Sequence, residues 1–180
     1  MKDRNELLKR KINGYLKKEQ FFKNDEHKKQ EKPFIAKSRK NFTVAKLLFK
    51  ISEEEDMRRI LNLASGFEMD DWAIIVSYYS MYTSSLSALA NLGFKSKSHA
   101  ATIAVLEYNF AKDKKLETKD IHKLVKACAL SEQLITKLIQ TKTKRETAQY
   151  DATSSITREM AKSSLDDADE FITKIEEMLS

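Results

Sequence analysis

Three groups of residues carry types and spacings that could do chemistry. Arg145 and Tyr150 stand with four residues between them in Lys144-Arg145-Glu146-Thr147-Ala148-Gln149-Tyr150. A guanidinium presents planar N–H donors that suit a phosphate. A phenol of ordinary pKa near ~10 is a poor general base at pH 7. The second group is Lys97-Ser98-His99, a cation, a helix-capping serine and an imidazole at the start of a helical segment. Free N–H groups at a helix start receive anions, so Lys97 and His99 join Arg145 and Tyr150 as candidates for binding a phosphate or nucleotide. The third is Tyr78, Tyr79 and Tyr82, which cover more than one face of a helix. Core packing accounts for two of these rings, and one is expected to face a cleft. Each group also has a plain structural role: Arg145 and Tyr150 as a loop anchor, His99 as a capping or packing side chain.

Other chemistries are excluded. Three glycines cannot build a phosphate-cradling loop or a dinucleotide fingerprint. His27, His99 and His122 lack the spacing of metal ligands, so neither a metal nor a cofactor is expected. Cys128 falls on the apolar face of its segment and reads as core. As the single cysteine it forms no internal disulfide, and the charged start carries no apolar leader, which together predict a cytoplasmic protein.

The elements that must position these residues are helical. Three Gly and one Pro in 180 residues leave few sharp turns, and no stretch alternates long enough for a strand. Apolar positions at helical spacing predict helices from Ser38 (Val44, Leu47, Leu48 and Ile51 on one face), over Met57–Ala64 with Gly66 as C-cap, and from Asp70 to Gly93. Further helices are predicted up to Phe110, from Thr118, and at the C-terminus, with a stripe of Met160, Leu165, Ala168, Phe171, Ile172, Ile175 and Leu179. Trp72 to Phe94 is 23 residues without a charge, but five serines make it polar for lipid. It reads as a central bundle helix, not a membrane span. Its small hydroxylated stripe, Ser77, Ser80, Ser84 and Ser87, would allow close approach of a helix from the same chain or from a second copy.

Net charge is +6, unevenly spread: residues 1–50 hold 16 Lys/Arg against 6 Asp/Glu, and residues 151–180 hold 3 against 8. The basic front could meet phosphate, or serve only as a solvated surface. Pro33 is expected to end any helix before it. The reading is therefore a basic helical arm, 1–33, not needed for folding, and a helical domain, 34–180. The fold class is all-α: an up-and-down bundle of four main helices with additional short ones.

Ser77-Tyr78-Tyr79-Ser80-Met81-Tyr82, then Ala88-Leu89, Gly93 and Lys97-Ser98-His99, then Arg145 to Tyr150 and the helix bearing Phe171, occur in an order and spacing that resemble the HEPN domain over about residues 38–178. The resemblance implies a bundle of four main helices that commonly dimerises and often works beside a minimal nucleotidyltransferase, as in toxin–antitoxin pairs. Catalytic members are metal-independent ribonucleases with four to six residues between an arginine and a histidine, and here Tyr150 stands in that histidine's place. Three readings follow. The first is a non-catalytic module that pairs with a nucleotidyltransferase or binds nucleotide or RNA. The second is a ribonuclease toxin with an altered Arg-x4-Tyr motif. The third is a purely structural homodimer.

Overall fold

The computed structural model describes residues 2–111 and 156–180. The chain opens with α1 (Lys2–Lys17), a three-residue strand β1 (Phe21–Lys23) and a 3-10 segment (Asp25–Gln30). There follow α2 (Glu31–Glu53), α3 (Glu55–Ile60), α4 (Asp70–Asn91), strand β2 (Phe94–Ser96), α5 (His99–Leu106) and a π-helical turn (Glu107–Ala111). The last element is α6 (Arg158–Leu179). The fold is all-α, and α2, α4 and α6 pack on one another. The helix expected from Thr118 lies outside the described residues. No helix among the described residues is long and apolar enough to cross a membrane.

Hydrogen bonds give the directions of the long helices. Ser38 Oγ donates to the Ser80 carbonyl (2.8 Å), Ser87 Oγ to the Glu31 carbonyl (2.7 Å), and Ser52 Oγ receives the Met69 N–H (2.6 Å). α2 and α4 are thus antiparallel. α6 runs parallel to α4, with Arg158 at its start bonded to Asp70 at the start of α4. Farther along, Arg39 of α2 clamps Glu176 through two bonds and Asp169 through one (2.5–2.9 Å). The Glu176 carboxylate is the main cause that raises the Arg39 pKa above its ordinary value, against the opposing effect of burial.

The serine stripe is spent inside the monomer. Ser77, Ser80, Ser84 and Ser87 are all buried, and Ser80 and Ser87 touch α2 as described. A buried hydroxyl needs a partner. Ser80 and Ser84 donate to the carbonyls three residues back, while Ser77 Oγ has no partner. Of the two contacts left open by the sequence, the stripe makes the one within the chain.

Several boundaries differ from expectation. Pro33 does not end a helix: it is the third residue of α2, in the first turn, where a backbone N–H has no helical acceptor and none is missed. The division at 33/34 therefore falls inside α2. The residues before it also join the bundle, because Leu8 and Phe21 are buried and Phe21 belongs to the main core. A short antiparallel ribbon, Phe21 with Ser96, Phe22 with Lys95 and Lys23 with Phe94, appears where no strand was expected, since three residues are too few for an alternating signal. α3 ends at Ile60, with Leu61 as its C-cap, rather than reaching Ala64. Asn62 takes a left-handed φ of 55° there, the Asn62 N–H bonds the Arg59 carbonyl and the Leu63 N–H bonds the Arg58 carbonyl, a Schellman ending. On α2 the buried positions are Ser38, Phe42, Ala45, Ile51 and Ser52, while Val44 and Leu47 are 41% and 48% exposed. Of the expected face only Ile51 is buried, and Phe42, Ala45 and two serines take the other inward places. On α6 the buried stripe is as expected from Leu165 to Ile175, but Met160 is exposed and Ala161 takes the inward place.

Gly93 turns the chain out of α4 with φ 77°, and a Cβ there would sit 2.9 Å from Asp25 Oδ1. Its carbonyl accepts the Asn24 N–H (2.9 Å), so this turn joins the end of α4 to the start of the chain.

Two outcomes follow for stability. Ser84→Glu places a carboxylate at a fully buried position, which costs several kcal/mol, and is expected to abolish the cooperative thermal transition followed by circular dichroism. Deleting residues 1–23 removes the buried Leu8 and Phe21, each worth ~1.5–3 kcal/mol. At roughly 2–4 °C per kcal/mol for a chain of this size, the melting temperature is expected to fall by about 10 °C. A truncated protein that melts with the full chain would show that the segment is dispensable.

Candidate functional site

α4 sets Tyr78 and Tyr82 one helical turn apart, on one face. Gly93 and β2 then carry the chain back, and Ser98 caps α5 by accepting the Ala101 N–H (3.4 Å). This delivers His99, the first residue of α5, onto the tyrosine face. Tyr78 Oη hydrogen-bonds His99 Nδ1. The His99 ring lies on Tyr82, with centroids 4.0 Å apart and planes at 18°. Tyr78 and Tyr82 are themselves 6.2 Å apart at 27°. Tyr78 is 2% exposed, Tyr82 is half-buried and Tyr79 is 40% exposed. Tyr78 and Tyr82 pack, as expected of two of the rings, and Tyr79 is the exposed one.

The protonation pattern follows from burial. A phenol hydroxyl withdrawn from water needs a partner, and here it is His99 Nδ1. Which of the two donates follows the tautomer of the imidazole.

The remaining predicted site residues divide. Lys97 does not converge with His99. Its ammonium lies over the Phe22 ring, 4.6 Å from the centroid, and its N–H donates to the Gln20 carbonyl (2.9 Å). Lys97 thus faces the ribbon while His99 faces α4. Ser98 takes up one of the N–H groups at the start of α5 that an anion would need. Ser77, Ser80, Ser84 and Ser87 belong to the α2 contact. Arg145 and Tyr150 lie outside the described residues, as do His122 and Cys128. Among the described residues no group of three His, Cys, Asp or Glu side chains could hold a metal ion. The role of Phe22 was not read from the sequence, because only the ribbon register brings it to Lys97. The pairing of His99 with Tyr78 and Tyr82 had a signal in the four-residue tyrosine spacing, but its partner lies across a turn.

Tyr78→Phe removes the hydroxyl bonded to Nδ1 and keeps the ring. It is expected to cost about 1 kcal/mol of stability, measured by urea unfolding with an unchanged m-value. A change below a few tenths of a kcal/mol would mean that the bond does not hold His99.

No curated protein matches the chain. A family model for the HEPN domain matches residues 45–178, which takes in the second half of α2, the whole tyrosine–histidine cluster and nearly all of α6. With most of its length matched, the chain belongs to the HEPN domain family.

Proposed function

We propose that the protein is a non-catalytic HEPN module that binds nucleotide or RNA and associates with a nucleotidyltransferase, as a homodimer in the cytoplasm. The observation that carries this reading is the hydrogen bond between Tyr78 Oη and His99 Nδ1; with Tyr78 donating, the imidazole keeps its proton at Nε2 and serves as a donor rather than a base. Support also comes from Arg145 being followed by Tyr150 where catalytic relatives place their histidine. General acid/base catalysis contributes ~10²–10⁴-fold, so a phenol in that place is enough to silence cleavage. Arg145 keeps its use as a phosphate ligand. Lys97 remains a weaker candidate, since its ammonium is placed over Phe22.

The test uses wild type, Tyr150→His, Arg145→Ala and His99→Ala, each incubated with RNA in EDTA and titrated with labelled RNA. Wild type is expected to bind without cleaving, and Arg145→Ala to remain folded and bind at least tenfold more weakly. Cleavage by wild type that is lost in Arg145→Ala or His99→Ala would overturn the reading in favour of a ribonuclease with an altered motif. Equal RNA binding by wild type and Arg145→Ala would remove Arg145 from the surface.

A further inference from the structure

A cleft of about 260 Å³ lies away from the tyrosine–histidine cluster, between α1, the ribbon and the π-helical turn. Apolar side chains wall it: Ile12 from α1, Phe21 and Phe94 from the two strands, and Val105 from α5. Phe21 and Val105 are buried members of the main core, so its packing fixes these walls. The polar lining comes from two elements, Lys9 and Asn13 of α1, and Tyr108 and Asn109 of the π turn. Lys9 and Asn13 are one helical turn apart and share a face. Among the described residues, the Lys9 ammonium, the Asn13 amide and the Tyr108 hydroxyl have no hydrogen-bond or ion-pair partner. Asn109 Nδ2 donates to the Val105 carbonyl (2.8 Å), which leaves its Oδ1 as an acceptor.

What these groups lack defines what would fill the cleft. Lys9 is the one charged side chain among the described residues of the lining, so a ligand of negative charge is favoured. A single lysine balances one charge, which suits a carboxylate and leaves a dianion half unpaired. The Asn13 amide and the Tyr108 hydroxyl supply neutral donors for the carboxylate oxygens, and Asn109 Oδ1 asks for one N–H or O–H on the ligand. The apolar walls ask for a ring-sized hydrophobic body. The volume falls just below the ~300–1,000 Å³ usual for ligand clefts, which keeps that body compact. We propose that this cleft binds a small aromatic monocarboxylate bearing one further N–H or O–H donor. Its ring lies between the apolar walls, its carboxylate on Lys9 and Asn13, and its donor on Asn109. Lys9, Ile12, Asn13 and Phe21 precede the region matched by the family model, so half of this lining stands outside that match. The proposal does not rest on Arg145, His99 or the binding of RNA.

The experiment is isothermal titration calorimetry of the full chain with indole-3-acetate as probe. Indole-3-ethanol keeps the ring and its N–H without the charge, and acetate keeps the charge without the ring. One indole-3-acetate is expected per chain, with indole-3-ethanol binding about tenfold more weakly, the loss of a charge-assisted contact, and acetate giving no heat. Lys9 and Asn13 are exposed, so Lys9→Met and Asn13→Ala leave the core untouched, and circular dichroism verifies this. Lys9→Met is expected to weaken indole-3-acetate about tenfold and to leave indole-3-ethanol unchanged. Asn13→Ala is expected to weaken indole-3-acetate as well, and so carries the test if Lys9→Met is unstable. Lys11→Met, at an exposed neighbour that does not line the cleft, is expected to change neither ligand. No heat with indole-3-acetate at millimolar concentration would overturn the proposal, as would equal affinity for indole-3-ethanol. Wild-type affinity in both Lys9→Met and Asn13→Ala would overturn it too. So would an equal loss in Lys9→Met and Lys11→Met, which would mark attraction to the basic surface of α1 rather than a site.

Discussion

The close contact between α2 and α4 is the constraint from which the rest of the arrangement follows. Small side chains line it from both helices: Ser38 and Ala45 on α2, Ser77, Ser80, Ser84 and Ser87 on α4. Serine is suited to this because its hydroxyl can be satisfied by a carbonyl of its own helix, as in Ser80 and Ser84, or of its neighbour, as in Ser38 and Ser87. The helices then approach without stranding polar atoms, apart from Ser77 Oγ. At 100° per residue, Tyr78 and Tyr82 point about half a turn away from the serine stripe. Seating the stripe on α2 therefore fixes the tyrosines on the far side, toward α5. Ile74, Met81 and Ala88 fall between the two faces and belong to the buried core.

This rotation gives the site its chemistry. His99 reaches the tyrosines only because Gly93 adopts a left-handed turn against Asp25 and the ribbon returns the chain at the right height. The imidazole then meets a buried phenol, and the tautomer in that pairing decides between donor and base. The same turn and ribbon bring Phe94 against Phe21, with centroids 4.7 Å apart.

The all-α class was legible in the sequence because it depends on periodicity and on the scarcity of turn residues, which are local properties. α4 and α6 were legible for the same reason. The face of α2 was legible only in part: Ile51 is buried as expected, whereas Val44 and Leu47 are exposed and Phe42 and Ala45 turn inward. Pro33 misled because its effect depends on position: it breaks a helix interior and suits a first turn, and only the start of α2 at Glu31 tells the two apart. The ribbon escaped because three paired residues carry no period. In the site, the types and order of Tyr78, Tyr82 and His99 were visible, whereas their mutual geometry rests on a turn. The convergence of Lys97 with His99 was expected from adjacency, but residues two apart on an extended strand and a helix start need not share a direction. Here the ammonium found Phe22 instead.

The central claim is that Tyr78 holds His99 as a hydrogen-bond donor. Long-range ¹H–¹⁵N correlation NMR of the histidine side chains reads this directly at pH 7, with His99→Ala supplying the assignment. The account predicts a neutral ring with a protonated Nε2 and an unprotonated Nδ1 for His99. A ring protonated at Nδ1 with Nε2 bare, the state of a general base, would contradict it.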